Sequence, residues 1–219
     1  EFLTGLIYSE EDLEKTRECM KRGDNILYSA YIQSIQDDTI LRGIPDLLIK
    51  KSFLSTFIGV DKDNNNNNNN KDVEYYIPVE IKFSTLHIND DGTISNHGNL
   101  KYYKTQLLMY CKILQNFQRI LPNESYILGR NFKFAHIKYL TYDRNIVQLF
   151  YKGLDWLKLI KNNNKKQLFH PDLYPNMKVI GHEYLNEKKR ISNETGEITN
   201  LFYCGIRNRL NAYQLGIIS

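Results

Sequence analysis

Apolar and polar positions alternate along this chain in two different rhythms. Ser9-Glu10-Glu11-Asp12 reads as a helix start, with Ser9 able to cap and Asp12 three residues on. That helix is expected to run to Arg22 and stop at Gly23. "NILYSAYIQSI" (25–35) is rich in Ile and Tyr and reads as a strand. Asp37-Asp38 suits a tight turn, and "TILRGIPDLLIK" (39–50) returns as the second arm of a hairpin. "VEYYIPVEIKF" (73–83) is a third strand, and residues 87–99 read as a loop. From Leu100 to about Ile120 the spacing turns helical, with Leu100, Tyr103, Leu107, Leu108, Cys111, Leu114 and Phe117 in one stripe. "SYILG" and "KFAHIKYL" read as two short strands, and residues 143–162, which carry Trp156, as another helix. The order mixes helices and strands within one region, which predicts an α/β (α+β) chain.

Beyond Asn162 the pattern weakens into a polar, Lys-rich stretch, so residues 1–165 are expected to form the core and 166–219 a C-terminal extension. The tract 61–72 holds seven consecutive Asn and reads as a disordered loop insertion. Apolar residues make up 42%, enough for a core. Lys and Arg number 29 against 25 acidic residues, a net charge of +4 that permits a nucleic-acid partner without demanding one. No apolar run approaches the roughly 20 residues of a membrane span, and no secretory signal is recognisable. The chain is therefore expected to be intracellular (cytoplasm, nucleus or viral replication site), not secreted. Its opening on Glu1-Phe2 is that expected of a domain cut from a longer multidomain protein. Cys19, Cys111 and Cys204 are odd in number and lack Cys-x-x-Cys spacing, which argues against a disulfide framework and against zinc.

The chemistry gathers in two segments. "GIPDLLIK" puts Asp46 directly after Pro45 in an apolar run, and "YYIPVEIKF" carries Glu80 and Lys82. Residues two apart on a strand share a face, so Glu80 and Lys82 project together and Ile81 is expected to turn into the core. A charged pair flanked by Ile77, Val79 and Phe83 is costly unless something receives it, and a divalent metal with a phosphate would. Mg²⁺ takes oxygen ligands at about 2.0–2.1 Å, often one or two carboxylates plus substrate phosphate. Asp46 and Glu80 supply two carboxylates, the Ile81 carbonyl a third oxygen, and Lys82 can orient or help deprotonate an attacking water. Glu-x-Lys alone is weak, since Glu187-Lys188-Lys189 matches it and Pro171-Asp172 repeats the Pro-Asp; those copies lie in polar sequence. Gln106 and Tyr110, four apart on the following helix, share a face and can hydrogen-bond a phosphate backbone or the Lys.

"RGIPDLLIK … PVEIKFS … QLLMYCKIL" resembles the RecB-type branch of the PD-(D/E)xK nuclease superfamily, which pairs a split Asp…Glu-x-Lys motif with a downstream Gln-x-x-x-Tyr. "ECMKRGDNILYSAYI" and "SYILGRNFKF" resemble stretches of RecB-like nucleases related to the CRISPR-associated adaptation nucleases, so the likeness covers roughly residues 10–160. It implies a restriction-endonuclease-like core with a mixed β-sheet flanked by helices. It also implies Mg²⁺ or Mn²⁺ dependence, phosphodiester hydrolysis in DNA, and a dimer or trimer. Many relatives add a His or Glu on the helix before the sheet; no His precedes His87 here, leaving Glu14 and Glu18 as the candidate carboxylates. Many also hold an iron–sulfur cluster on four cysteines, which three scattered cysteines cannot supply, so none is expected.

Blander readings stand beside each residue. Asp46 alone is equally a turn residue, Glu80 and Lys82 a surface ion pair of little energetic weight, and Gln106 and Tyr110 ordinary helix surface. Lys101 and Lys104, before Gln106, either guide a phosphate backbone or are a solvated helix end. Lys188, Lys189, Arg190, Arg207 and Arg209 either contact phosphates or solvate a tail. Taken together and in order, the motifs point to a metal-dependent DNA nuclease, first an exonuclease acting on ends. The alternatives are a structure-specific or nicking endonuclease and a non-catalytic nucleic-acid-binding module.

Overall fold

A computed structural model of the chain describes residues 9–36, 39–58, 74–162, 174–179, 181 and 183–217. The expected turn at Asp37-Asp38 and the Asn-rich tract lie outside them. The chain divides into two compact units, Glu1–Asp155 and Trp156–Ser219.

In the first unit, helix α1 (Glu10–Arg22) starts as its sequence dictates. The Ser9 hydroxyl accepts the Asp12 N–H at 3.3 Å, the Asp12 carboxylate accepts the Ser9 N–H at 2.9 Å, and Gly23 closes the helix at φ 80°. The long hairpin forms but breaks in the middle of both arms. The first arm is β1 (Ile26–Tyr28) and β2 (Ile32–Gln36); the second is β3 (Thr39–Gly43) and β4 (Leu47–Lys50). Tyr28 pairs with Leu47 and Ile32 with Gly43, so three residues intervene on each side and the register carries through. Pro45 has no N–H to continue the ladder, and Ser29 opposite takes a left-handed turn at φ 48°. The outer half, β2–β3, becomes a separate two-stranded sheet.

The inner half enters the main sheet, ordered β1-β4-β5-β6-β7 with β5 (Tyr76–Lys82), β6 (Glu124–Gly129) and β7 (Phe134–Lys138). Only β5 and β6 run parallel, and α3 (Leu100–Gln118) makes the crossover that parallel neighbours need. The sheet is thus mixed and flanked by helices. One face buries Leu48, Ile127 and Ile137 against Leu107 and Leu114 of α3. The other buries Ile49, Ile77 and Val79 with Leu54 of α2 (Lys51–Ile58), a helix the strand pattern did not predict. Of the α3 stripe, Leu107, Leu108, Cys111 and Leu114 are buried, with Cys111 fully inside, while Leu100, Tyr103 and Phe117 pack partly buried against the same core. Edge groups at the start of β5 are met by Gln118, whose amide accepts the Tyr76 N–H at 2.8 Å and donates to its carbonyl at 3.0 Å.

Helix α4 (Arg144–Asn162) begins in the first unit and ends in the second. The second unit adds α5 (Leu185–Thr195), a short 3-10 turn at Ile198–Asn200 and α6 (Ile206–Gln214), where the sequence pattern gave only a polar stretch. These helices close on polar anchors: Arg209 of α6 reaches Glu197 and the Tyr174 carbonyl, each at 3.1 Å. Among the described residues no helix is long and apolar enough to cross a membrane.

Candidate active site

The hairpin break and the end of β5 meet at one point. β4 starts at Leu47, so the β5 backbone beyond Val79 has no strand partner on that edge. Asp46, freed by Pro45, fills the gap: its carboxylate accepts the Ile81 N–H at 2.6 Å. A strand residue's N–H and C=O face the same edge, so the Ile81 carbonyl shares it.

Even-numbered residues of β5 face α3, and there Glu80 is only 4% exposed. Its Oε1 accepts from the Lys82 ammonium at 2.7 Å and from the Gln106 amide at 3.2 Å. Its buried Oε2 has no hydrogen-bond partner. Burial pushes the Glu80 carboxyl above the ordinary range, with the negative charge of Asp46 acting the same way and Lys82 and Gln106 opposing. The side chain expected to turn inward is the exposed one: Ile81 is 43% accessible, because it lies on the opposite face at the free end of β5.

Gln106 also donates to the Tyr110 hydroxyl at 2.7 Å, and that hydroxyl donates to the Ile44 carbonyl at 3.4 Å. The i, i+4 pair therefore links the carboxylate to the residue before Pro45. Burial raises the Tyr110 phenol to about 12, so it stays a donor at neutral pH. The Tyr110 ring fits because Gly43 has no side chain; a Cβ there would stand 2.3 Å from the ring. Sequence reasoning missed this contact, and also Tyr103, over whose ring the Lys82 ammonium lies 4.8 Å from the centroid.

Asp46, Glu80, Lys82, Gln106 and Tyr110 are thus brought together. Other expected contributors are not. Glu14 pairs with Arg17 and Lys21 on the exposed face of α1, where Glu18 is exposed as well, and among the described residues neither joins Asp46 and Glu80 in a group of three metal-binding side chains. Lys104 is corrected outright: it is fully buried, and its ammonium donates to Asp143 and the Ile94 carbonyl at 2.6 Å and to Asn96 at 2.8 Å. A buried, paired ammonium cannot guide DNA. Arg209 is likewise buried on Glu197, and Lys188 and Arg190 are taken up by local partners. Lys101 lies over the Tyr102 ring, while Lys189 and Arg207 are exposed.

Among the described residues no group of three or more His, Cys, Asp and Glu side chains stands together. The oxygen groups gathered at this strand end are two carboxylates and a backbone carbonyl. No family model, curated protein or solved structure matches the chain.

Proposed function

We propose that this chain is a metal-dependent DNA nuclease of the PD-(D/E)xK type, akin to the RecB branch and built on a restriction-endonuclease-like core. The observation that carries the reading is the pairing of a buried, half-satisfied Glu80 with Asp46 at the open end of a central strand, Lys82 and Gln106 both bonded to Glu80. The mixed sheet with its β5–α3–β6 crossover supports the same reading.

The residues fit Mg²⁺ or Mn²⁺. Two mutually repelling carboxylates and an unbonded buried oxygen are relieved by a hard divalent cation, and the Ile81 carbonyl lies on the same edge. Asp46 and Glu80 would hold it. The cation supplies Lewis-acid polarisation of the phosphate and lowers the pKa of water. Lys82 orients the attacking water and offsets the charge that builds on the phosphate. Gln106 and Tyr110 fix the Glu80 carboxylate and the Ile44 backbone relative to one another, and so position the substrate strand. The reaction adds water oxygen to phosphorus and releases the strand oxygen, which takes a proton.

The test uses end-labelled single-stranded, linear duplex and covalently closed circular DNA with Mg²⁺, Mn²⁺ or EDTA, beside Lys82→Ala and Glu80→Gln. Metal-dependent loss of linear DNA alone, reduced about 10²-fold or more in both variants, is expected of an exonuclease run by this site. Cleavage of circles makes it an endonuclease. No cleavage of any substrate with either metal removes the enzyme reading and leaves a nucleic-acid-binding module.

A further inference from the structure

Lys82 pairs with Gly129 across β5 and β6, so Phe83 and Arg130 occupy the next step beyond the candidate active site. The Arg130 N–H donates to the Ser84 carbonyl at 2.9 Å, which ties the two strand ends together. The Arg130 guanidinium lies over the Phe83 ring, 4.9 Å from its centroid, and that ring is 86% exposed. Two residues further, the turn into β7 exposes a second ring, Phe132, also to 86%.

Phe132 is an odd residue for its place. Its φ of 58° is left-handed, a conformation that turns usually give to Gly or Asn. The turn is nonetheless well made, with the Phe132 N–H on the Gly129 carbonyl at 3.0 Å and the Gly129 N–H on the Lys133 carbonyl at 3.0 Å. A bulky apolar side chain is thus held in a strained conformation and faces solvent, which gives the fold no packing in return. Arg130 and Lys133, both exposed, make the surroundings cationic.

We propose that Phe83, Arg130 and Phe132 form a stacking platform for an unpaired nucleobase next to the scissile phosphate. The inference rests on the nuclease reading and narrows its substrate to single-stranded or frayed DNA. Aromatic rings and a guanidinium plane bind any base through its π-face, and the positive charge suits the adjoining phosphates. Bases inside a duplex have both faces covered, so only an unpaired base or the outer face of a terminal pair can use the platform.

Binding in EDTA separates recognition from turnover. The probes are a single-stranded oligonucleotide with 2-aminopurine, the same strand with abasic positions, and a covalently closed circular duplex, which has no terminal pair. The proteins are wild type, Phe83→Ala and Phe132→Ala, checked by thermal melt. Wild type is expected to quench 2-aminopurine and to bind the intact single strand about tenfold more tightly than either variant. It should bind the abasic strand as weakly as the variants do, and the duplex should not distinguish the three proteins. Variants that bind and quench like wild type overturn the platform, as does an equal loss on the duplex. Platform and nuclease reading fail separately. A wild type that stacks the base but never cleaves in Mg²⁺ sinks only the enzyme. One that cleaves single strands no faster than both variants sinks only the platform.

Discussion

Lys104→Met tests whether the buried ammonium is structural. The side chain is 0% exposed, as is that of its partner Asp143, and its three acceptors lie at 2.6–2.8 Å on the 87–99 loop and on the turn into α4. The other Asp143 oxygen accepts the Lys138 N–H at 2.8 Å, so the carboxylate is held in place and cannot swing out to water. Methionine fills most of the volume but leaves that carboxylate buried without a counter-charge. Removing one partner of a buried pair costs about 3–5 kcal/mol. The whole stability of a domain is about 5–15 kcal/mol. At about 2–4 °C per kcal/mol for a chain of this size, the melting temperature should fall by about 6–20 °C. Denaturant melts and calorimetry read this directly. Adding Asp143→Asn should recover at least about 1 kcal/mol, because a neutral amide costs less to bury than an unpaired carboxylate. A loss below about 1 kcal/mol for Lys104→Met, or no recovery in the double variant, refutes the reasoning. Weaker DNA binding at unchanged stability would restore Lys104 as a phosphate guide.

Two further perturbations probe the surroundings of the site. Gly43→Ala drives a methyl into the Tyr110 ring, a predicted loss of about 1–3 kcal/mol that also displaces the Gln106–Tyr110 link and slows cleavage; an unchanged melt would mean the ring yields freely. On the opposite face of the sheet, the hydrogen bond from His136 at 2.6 Å holds the Glu124 carboxyl below its ordinary value of 4.5, with burial opposing. A folded value below the unfolded one gives stability that is complete above about pH 4.5 and is lost as pH falls through the lowered value. His136→Phe, which keeps a ring stacked on Tyr126, should flatten that acid limb in melts from pH 3 to about 7; an unaltered limb would detach the pair from acid stability.

Much of the site was legible because two local periodicities report which residues share a face. The two-residue repeat put Glu80 and Lys82 together, and the four-residue spacing did the same for Gln106 and Tyr110. Lys104 shows the limit. It falls at the spacing of the apolar stripe of α3, four after Leu100 and three before Leu107, yet its charge reads as solvated or phosphate-facing. Its counter-charge, Asp143, lies 39 residues away, and no local pattern announces such a partner. The hairpin break had a visible cause in Pro45, but its outcome, two sheets sharing one register, depends on what packs on either side. Helix α2 follows β4 without an intervening loop, so nothing in the pattern marks its start and its eight residues stay unassigned between the second strand and the Asn-rich tract. In α5 and α6 few side chains are buried, and the anchors are polar groups such as Ser192 and Arg209 that a hydrophobic pattern does not register.

An orphaned carboxylate oxygen does not by itself argue for a metal. In the second unit, Glu197 Oε2 is buried and unbonded as well. What separates the two residues is their company. Glu197 faces Arg209, a permanent cation that neutralises its charge. Glu80 has Lys82, but Asp46 adds a second negative charge close enough to disfavour its ionisation. Asp46 cannot withdraw, because it supplies the acceptor that the Ile81 N–H lost when Pro45 ended the ladder. Backbone geometry therefore fixes two carboxylates beside a single ammonium, and the deficit is one positive charge at an open strand end. Mg²⁺ should accordingly raise the melting temperature of the wild type and leave Glu80→Gln unmoved, a readout independent of any cleavage; equal stabilisation of both proteins would place the cation elsewhere and remove the physical basis for the nuclease reading.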